Sequence, residues 1–222
     1  MENIKKIIDG KKYSEKFLKQ VYPLSTNFYK KFNRKPCLAV ILVGDNTASG
    51  IYVKNKVHTA EKNGIKSVKV ILSNKVSEAN LLNEILKLNE DQNIDGILVQ
   101  LPLPVHISEK KIIHSINPMK DVDGFHPINF GKLFMGDPNF VPCTPLGCYY
   151  MLKNELKELS GKNAVIIGRS NIVGKPMASL LLASNCSVTI THSKTKNLRE
   201  HCKKADILIS AVGIPEMVDE TY

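Results

Sequence analysis

Apolar positions along this chain alternate between amphipathic stretches and short continuous runs. Residues 11–32 carry apolar side chains at helical spacing. Residues 36–43 then form an unbroken apolar run closed by Gly44, the pattern of a parallel strand covered on both faces. The spacing predicts a helix over 48–62, stopped by Asn63-Gly64, then a strand over 68–72. A helix over 77–89 and a strand at Gly96–Val99 complete a βαβαβ series. Strands separated by helices of about 10–15 residues imply parallel pairing through right-handed crossovers.

The segment 101–145 breaks the rhythm. It holds Pro102, Pro104, Pro118, Pro127, Pro138, Pro142 and Pro145 and shows little periodicity. Such a segment is expected to connect two lobes and line a cleft. A helix over 145–157 then leads to a second strand–turn–helix series, with strands at 164–167, 187–190 and 207–211. The expected fold is therefore α/β with two lobes, residues 1–145 around one parallel sheet and 146–222 around another. No internal repeat or low-complexity tail interrupts it.

Composition narrows the picture. Hydrophobic residues at 43% and charged residues at 23% suit a globular protein, and no apolar run nears the ~20 residues of a membrane helix. Residues 1–6 lack a signal peptide's apolar core and cleavage site, so the expected compartment is the cytoplasm. The net charge of +10 raises the question of nucleic acid. Its basic residues are nearly all lysines, spread over both halves, with arginine only at 34, 169 and 199. No basic block interleaves with aromatics, so neither nucleic acid nor membrane is an expected partner. A positive field would still attract small polyanions. Cys37, Cys143, Cys148, Cys186 and Cys202 show no C-x-x-C pair and are expected to be reduced, each a small buried apolar group.

The second series carries a dinucleotide signal. The strand 164–167 runs into Gly168-Arg169-Ser170-Asn171-Ile172-Val173-Gly174-Lys175-Pro176 and an apolar helix to Ala183. Strand, glycine turn and helix would aim backbone N–H groups at a pyrophosphate. After the next strand the chain reads Thr191-His192-Ser193-Lys194-Thr195, without the carboxylate that selects a free ribose hydroxyl. Arg169 in the first turn matches a 2′-phosphate instead, which favours NADP. His192 fits a hydrogen-bonded structural histidine as well as a cofactor contact.

In the first lobe, Tyr52 and Lys56 share a helix face. A partly desolvated lysine beside a tyrosine could transfer protons near neutral pH, although Tyr-x-x-x-Lys is commonly a plain exposed pair. Gln100 follows the strand Gly96–Val99, where parallel sheets place function. Asp121 and Asp123 fit a turn, two of the ligands of a metal, or a buried carboxylate paired with an amidine-like heterocycle edge.

Together these motifs resemble one family. Ser49-x-x-Tyr52-x-x-x-Lys56, Gln100-Leu101-Pro102-Leu103-Pro104, Lys120-Asp121-Val122-Asp123-Gly124, Pro142-Cys143-Thr144-Pro145, Gly168-Arg169-Ser170-x-x-Val173-Gly174-x-Pro176 and His192-Ser193-Lys194-Thr195 occur in this order. The chain resembles the bifunctional methylenetetrahydrofolate dehydrogenase/cyclohydrolase family along nearly its whole length. The resemblance implies a folate-binding catalytic lobe followed by a Rossmann-like NADP-binding lobe, in a homodimer serving one-carbon metabolism and purine synthesis. It implies oxidation of 5,10-methylenetetrahydrofolate by NADP and hydrolysis of the methenyl product to 10-formyltetrahydrofolate. Lys56 would be the principal catalytic residue, assisted by Gln100 and Tyr52. Tyr52 would stack on the folate, Asp123 would bond its pterin edge, and Ser49, Gln100, Leu101 and Pro102 would line the same substrate site. Gly168, Arg169, Ser170 and Ser193 would hold the adenosine phosphate side of NADP, and no metal is required.

Family members continue beyond the segment that ends here at Tyr222, so a longer functional polypeptide is expected. Two other readings stay open: a non-catalytic remnant that binds nucleotide or folate, and another two-lobed NADP-dependent dehydrogenase.

Overall fold

The computed structural model describes residues 7–222, and the segment 1–6 read above for a signal lies outside them. Its elements run α1 (Gly10–Phe32), β1 (Cys37–Val43), α2 (Thr47–Lys62), β2 (Lys66–Leu72), α3 (Glu78–Glu90), β3 (Gly96–Val99), α4 (Glu109–Ser115) and α5 (Pro127–Phe134). They continue with α6 (Cys143–Leu156), β4 (Asn163–Ile167), α7 (Gly174–Leu182), β5 (Ser187–Thr191), α8 (Leu198–Lys203) and β6 (Ile207–Ser210). Two parallel three-stranded sheets result, ordered β2-β1-β3 and β5-β4-β6.

The apolar runs of β1 and β4 become the central strands of their sheets, each with a helical layer on both sides. In β1 the alternation of side chains divides the run. Cys37, Ala39, Ile41 and Val43 pack with Leu81 and Ile85 of α3 and Ile112 of α4. Val40 and Leu42 pack instead with Val53 and Val57 of α2. In β4, Ala164 and Ile166 meet Met177, Ala178 and Leu181 of α7, whereas Val165 and Ile167 meet Cys202 of α8.

The chain divides into two compact units between Val122 and Asp123, earlier than the expected boundary at 145/146. The segment 127–134 belongs to the second unit because α5 packs on α7, where the Ser179 hydroxyl donates to the Leu133 carbonyl at 3.0 Å. The stretch 101–145 is also more regular than its prolines suggest. Ser108 caps α4 by accepting from the Lys111 N–H, and the His126 ring caps α5, with Pro127 in the first turn. Two cysteines depart from expectation: Cys143 is exposed at the start of α6 and Cys148 is half-buried. Cys37, Cys186 and Cys202 are buried, and burial pushes their thiols above the ordinary range. No helix among the described residues is long and apolar enough to cross a membrane.

Candidate active site

The first unit gathers its candidates at the C-terminal ends of β1 and β3. α2 starts just past β1, with Asn46 accepting from the Ser49 N–H at 3.0 Å. Val53 and Val57 point into the core, which turns the Tyr52 and Lys56 face away from it. Tyr52 is 63% exposed, a free ring face for stacking, and Lys56 is half-buried. Ser49 is buried in the first turn of α2.

Gln100 continues β3, its N–H donating to the Ile41 carbonyl at 2.9 Å. Its amide nitrogen donates to the Leu101 carbonyl at 2.7 Å, which fixes the direction of the side chain. The amide oxygen then faces α2 and accepts from Lys56 Nζ at 3.3 Å. Lys56 and Gln100, 44 residues apart, form one polar pair. The segment that follows is tied down by carboxylates. Glu109 accepts from the Leu103 N–H at 3.2 Å, and Glu78 accepts from the Ser108 N–H and from Lys111 Nζ, each at 2.8 Å. The Leu101–Pro102 peptide is cis.

Asp121 is buried beside β3, bridged to Ile97, and Asp123 is half-buried as the first residue of the second unit. Among the described residues, no three His, Cys, Asp or Glu side chains gather as a metal site.

The second unit brings its candidates together through sheet register. Ile167 pairs with Thr191, and the Gly168 N–H donates to the Thr191 carbonyl at 2.9 Å, so the turns after β4 and β5 are neighbours. Arg169, Ser170 and Ser193 are exposed on these two turns. Gly174 allows the first turn to lie tightly on α7, since a Cβ there would stand 2.3 Å from the Gly168 carbonyl oxygen. A turn this close, with an exposed guanidinium and two exposed hydroxyls, fits a nucleotide phosphate. One expectation changes. Two N–H groups at the start of α7, those of Val173 and Gly174, are accepted by Ser170 Oγ at 3.1 and 3.3 Å rather than left free for a pyrophosphate. His192 is a hydrogen-bonded histidine: its ring Nδ1 accepts from the Lys194 N–H at 3.2 Å, and its backbone N–H donates to Thr195 Oγ1 at 2.8 Å. Sequence reading missed this part of Thr195, which shapes the turn that presents Ser193; the hydroxyl two residues beyond Ser193 was the available signal.

Comparison with known proteins fits this arrangement. The family described as tetrahydrofolate dehydrogenase/cyclohydrolase, catalytic domain, matches residues 8–123, and its NAD(P)-binding domain matches 142–222. The chain belongs to this family. Bifunctional protein FolD of Ehrlichia canis is 49% identical over 97% of this chain and 73% of its own length. Among solved structures, the bifunctional FolD enzyme of Campylobacter jejuni superposes with a TM-score of 0.93 at 46% identity, over 97% of this chain and 77% of that one. The Trypanosoma brucei methylenetetrahydrofolate dehydrogenase-cyclohydrolase, solved with NADP cofactor and inhibitor, superposes with a TM-score of 0.90 at 32% identity, over 95% of this chain and 72% of that one. The chain thus carries a tetrahydrofolate dehydrogenase/cyclohydrolase catalytic domain in its first unit and a stretch of NAD(P)-binding domain in its second.

Proposed function

We propose that this chain oxidises 5,10-methylenetetrahydrofolate with NADP and hydrolyses the resulting 5,10-methenyltetrahydrofolate to 10-formyltetrahydrofolate, with Lys56 as the proton-transfer residue of the hydrolysis. The observation that carries the reading is the Lys56–Gln100 pair at 3.3 Å, beside the exposed Tyr52 ring. NADP, when bound, accepts a hydride from the one-carbon bridge and leaves that bridge cationic. Water then adds to the bridge carbon with loss of a proton, and the ring C–N bond opens as its nitrogen takes one up. A side-chain nitrogen near the bridge can carry those protons, and no metal is needed to activate a carbon already positive. Gln100 aims the lysine, because its amide nitrogen is held on the Leu101 carbonyl and its oxygen accepts from Lys56 Nζ.

Tyr52 stacks on the folate, Asp123 bonds the pterin edge, and Ser49, Leu101 and Pro102 complete that side. Arg169 and Ser193 hold the adenosine phosphate, with Gly168 and Ser170 shaping the turn. A homodimer in the cytoplasm, contributing to purine synthesis without nucleic-acid or membrane partners, belongs to the same reading; the free cysteines suit a reducing compartment.

The test follows methenyltetrahydrofolate by absorbance as it forms from methylenetetrahydrofolate, with NADP or NAD supplied in turn. Lys56→Met is expected to lower the hydrolytic rate by about 10²–10⁴-fold with nucleotide binding intact. A variant within about threefold of wild type, well short of that range, would remove Lys56 from the reaction.

A further inference from the structure

The proline-rich connection carries a lysine with an unusual set of partners. Lys120 Nζ donates to the backbone carbonyls of Leu88, Asn89 and Asp91 at 3.0, 2.7 and 2.8 Å. These are carbonyls at and just past the C-terminal end of α3, where a helix leaves acceptors without intrahelical donors and where positive charge is favoured. An ammonium has three protons, and all three are used.

The backbone of the same residue is held from the other side. The Ile97 N–H of β3 donates to the Lys120 carbonyl at 2.7 Å, and the Lys120 N–H donates to the Asn117 carbonyl at 2.8 Å. Asn89 reinforces this grip: it donates to the Ser115 carbonyl and accepts from the Asn117 N–H, at 2.7 and 2.8 Å. Immediately beyond, Asp121 bridges to Ile97 and Val122 lies on Gly96 so closely that a Cβ there would stand 2.4 Å from Val122 Cγ1. Val122 also packs on the cluster of Val53 and Val57, on the helix that carries Tyr52 and Lys56.

We infer that Lys120 is a positioning residue for folate: its three-point cap on α3 sets how the segment 120–122 lies along β3, and so where the chain enters Asp123. This rests on the folate reading above. Without the cap, the segment would hold its binding-competent position only part of the time. Affinity for folate falls by that fraction, whereas a folate already bound reacts as before.

Lys120→Met is therefore expected to raise KM for methylenetetrahydrofolate about tenfold or more, the factor that one charge-assisted hydrogen bond commands. kcat and KM for NADP should stay within about twofold, well inside that factor. Hydrogen exchange gives a readout independent of turnover: the Ile97 amide, which reports on the Lys120 carbonyl, should exchange faster, with the amides of β1 unchanged. Unchanged Ile97 exchange, or a loss of kcat with both KM values constant, would overturn the inference. If the wild-type protein turns over no folate, the functional reading fails, and Ile97 exchange still decides the anchor. Should Lys120→Met not fold, Lys120→Arg keeps the charge but offers a planar fork to three converging carbonyls. It is expected to shift both readouts in the same direction, and wild-type values from it would overturn the anchor.

Discussion

Asp95 accepts three hydrogen bonds, two from the Arg34 guanidinium at 2.7 and 2.8 Å and one from the Cys37 N–H at 2.8 Å. It thereby ties the end of α1 to the start of β1. Burial alone would raise its carboxyl, but the Arg34 and Cys37 bonds outweigh that and hold it below the usual carboxylate range. Glu78 is lowered too, chiefly by Lys111 and then by the Ser108 N–H. A carboxylate lowered in the folded state adds stability above its unfolded value and loses it as pH falls through the folded one. The melting temperature should therefore hold from pH 7 to about 5 and drop below about pH 4, the ordinary carboxylate value. Asp95→Asn should cost about 1.5–3 kcal/mol at neutral pH and flatten that acid limb; an unchanged acid limb would assign it to other groups. Arg169 is a second case at this scale. Arg169→Ala should weaken NADP about ten- to hundredfold and leave NAD nearly unaffected, which competitive nucleotide titration would show. Equal losses for both nucleotides would make Arg169 structural. Arg169 could be singled out in the sequence because its turn names a partner. Arg34 could not, since its carboxylate stands 61 residues away and no local pattern links the two.

At the scale of elements, β1 and β4 were legible because a strand covered on both faces writes its burial as an unbroken apolar run. α4 and α5, of seven and eight residues, were not legible, being too short for a 3.6-residue period to emerge among prolines. The turn between β4 and α7 was legible as a glycine turn, but not its internal cap, because a serine hydroxyl reads the same facing solvent or facing its own backbone. That turn has no slack. At Gly174 the nearest atoms to an added methyl are the carbonyl of Gly168 and the Cα of Arg169, which cannot rotate away. Gly174→Ala is expected to destabilise the second unit by about 1–3 kcal/mol and to weaken NADP with it. Denaturant unfolding and nucleotide titration would check both, and wild-type NADP affinity in a destabilised variant would separate the turn's geometry from binding.

For the whole molecule, the order of motifs identified the family, and the two parallel sheets could be foreseen from the alternation of strands and helices. The compact units divide between Val122 and Asp123 because α5, within the proline-rich segment, joins the second core, and prolines mark a connection without saying which core its helices join. Lys56 and Gln100 were each legible at a strand end or on a helix face, but their pairing depends on the register of β1 with β3. The charge of +10 has a consequence at this scale alone. Its field favours a polyanionic nucleotide and is screened within about 8 Å at physiological salt. The association rate of NADP should fall as salt rises from about 0.05 to about 0.5 M, as the screening length shrinks from more than about 10 Å to less than about 8 Å. Stopped-flow measurement would show it, and a salt-independent rate would rule out electrostatic steering of the nucleotide.

α1 buries only Ser25 among its 23 residues, through a 2.7 Å bond from that hydroxyl to the Asn63 carbonyl. Lys11, Lys12, Lys16, Lys19, Lys30 and Lys31 all stand exposed on it. A protease reaches a helix only when a stretch of it opens, and opening is easiest where few side chains are buried. Trypsin cuts after lysine, so the exposed charges of α1 double as a cleavage map. Limited digestion should release peptides from 11–31 first, while the lysines around β1 and β4 survive. Ser25→Ala should quicken that first cut and leave the later ones unchanged, so the earliest fragments seen by mass spectrometry would record the hold that one hydroxyl has on a whole helix.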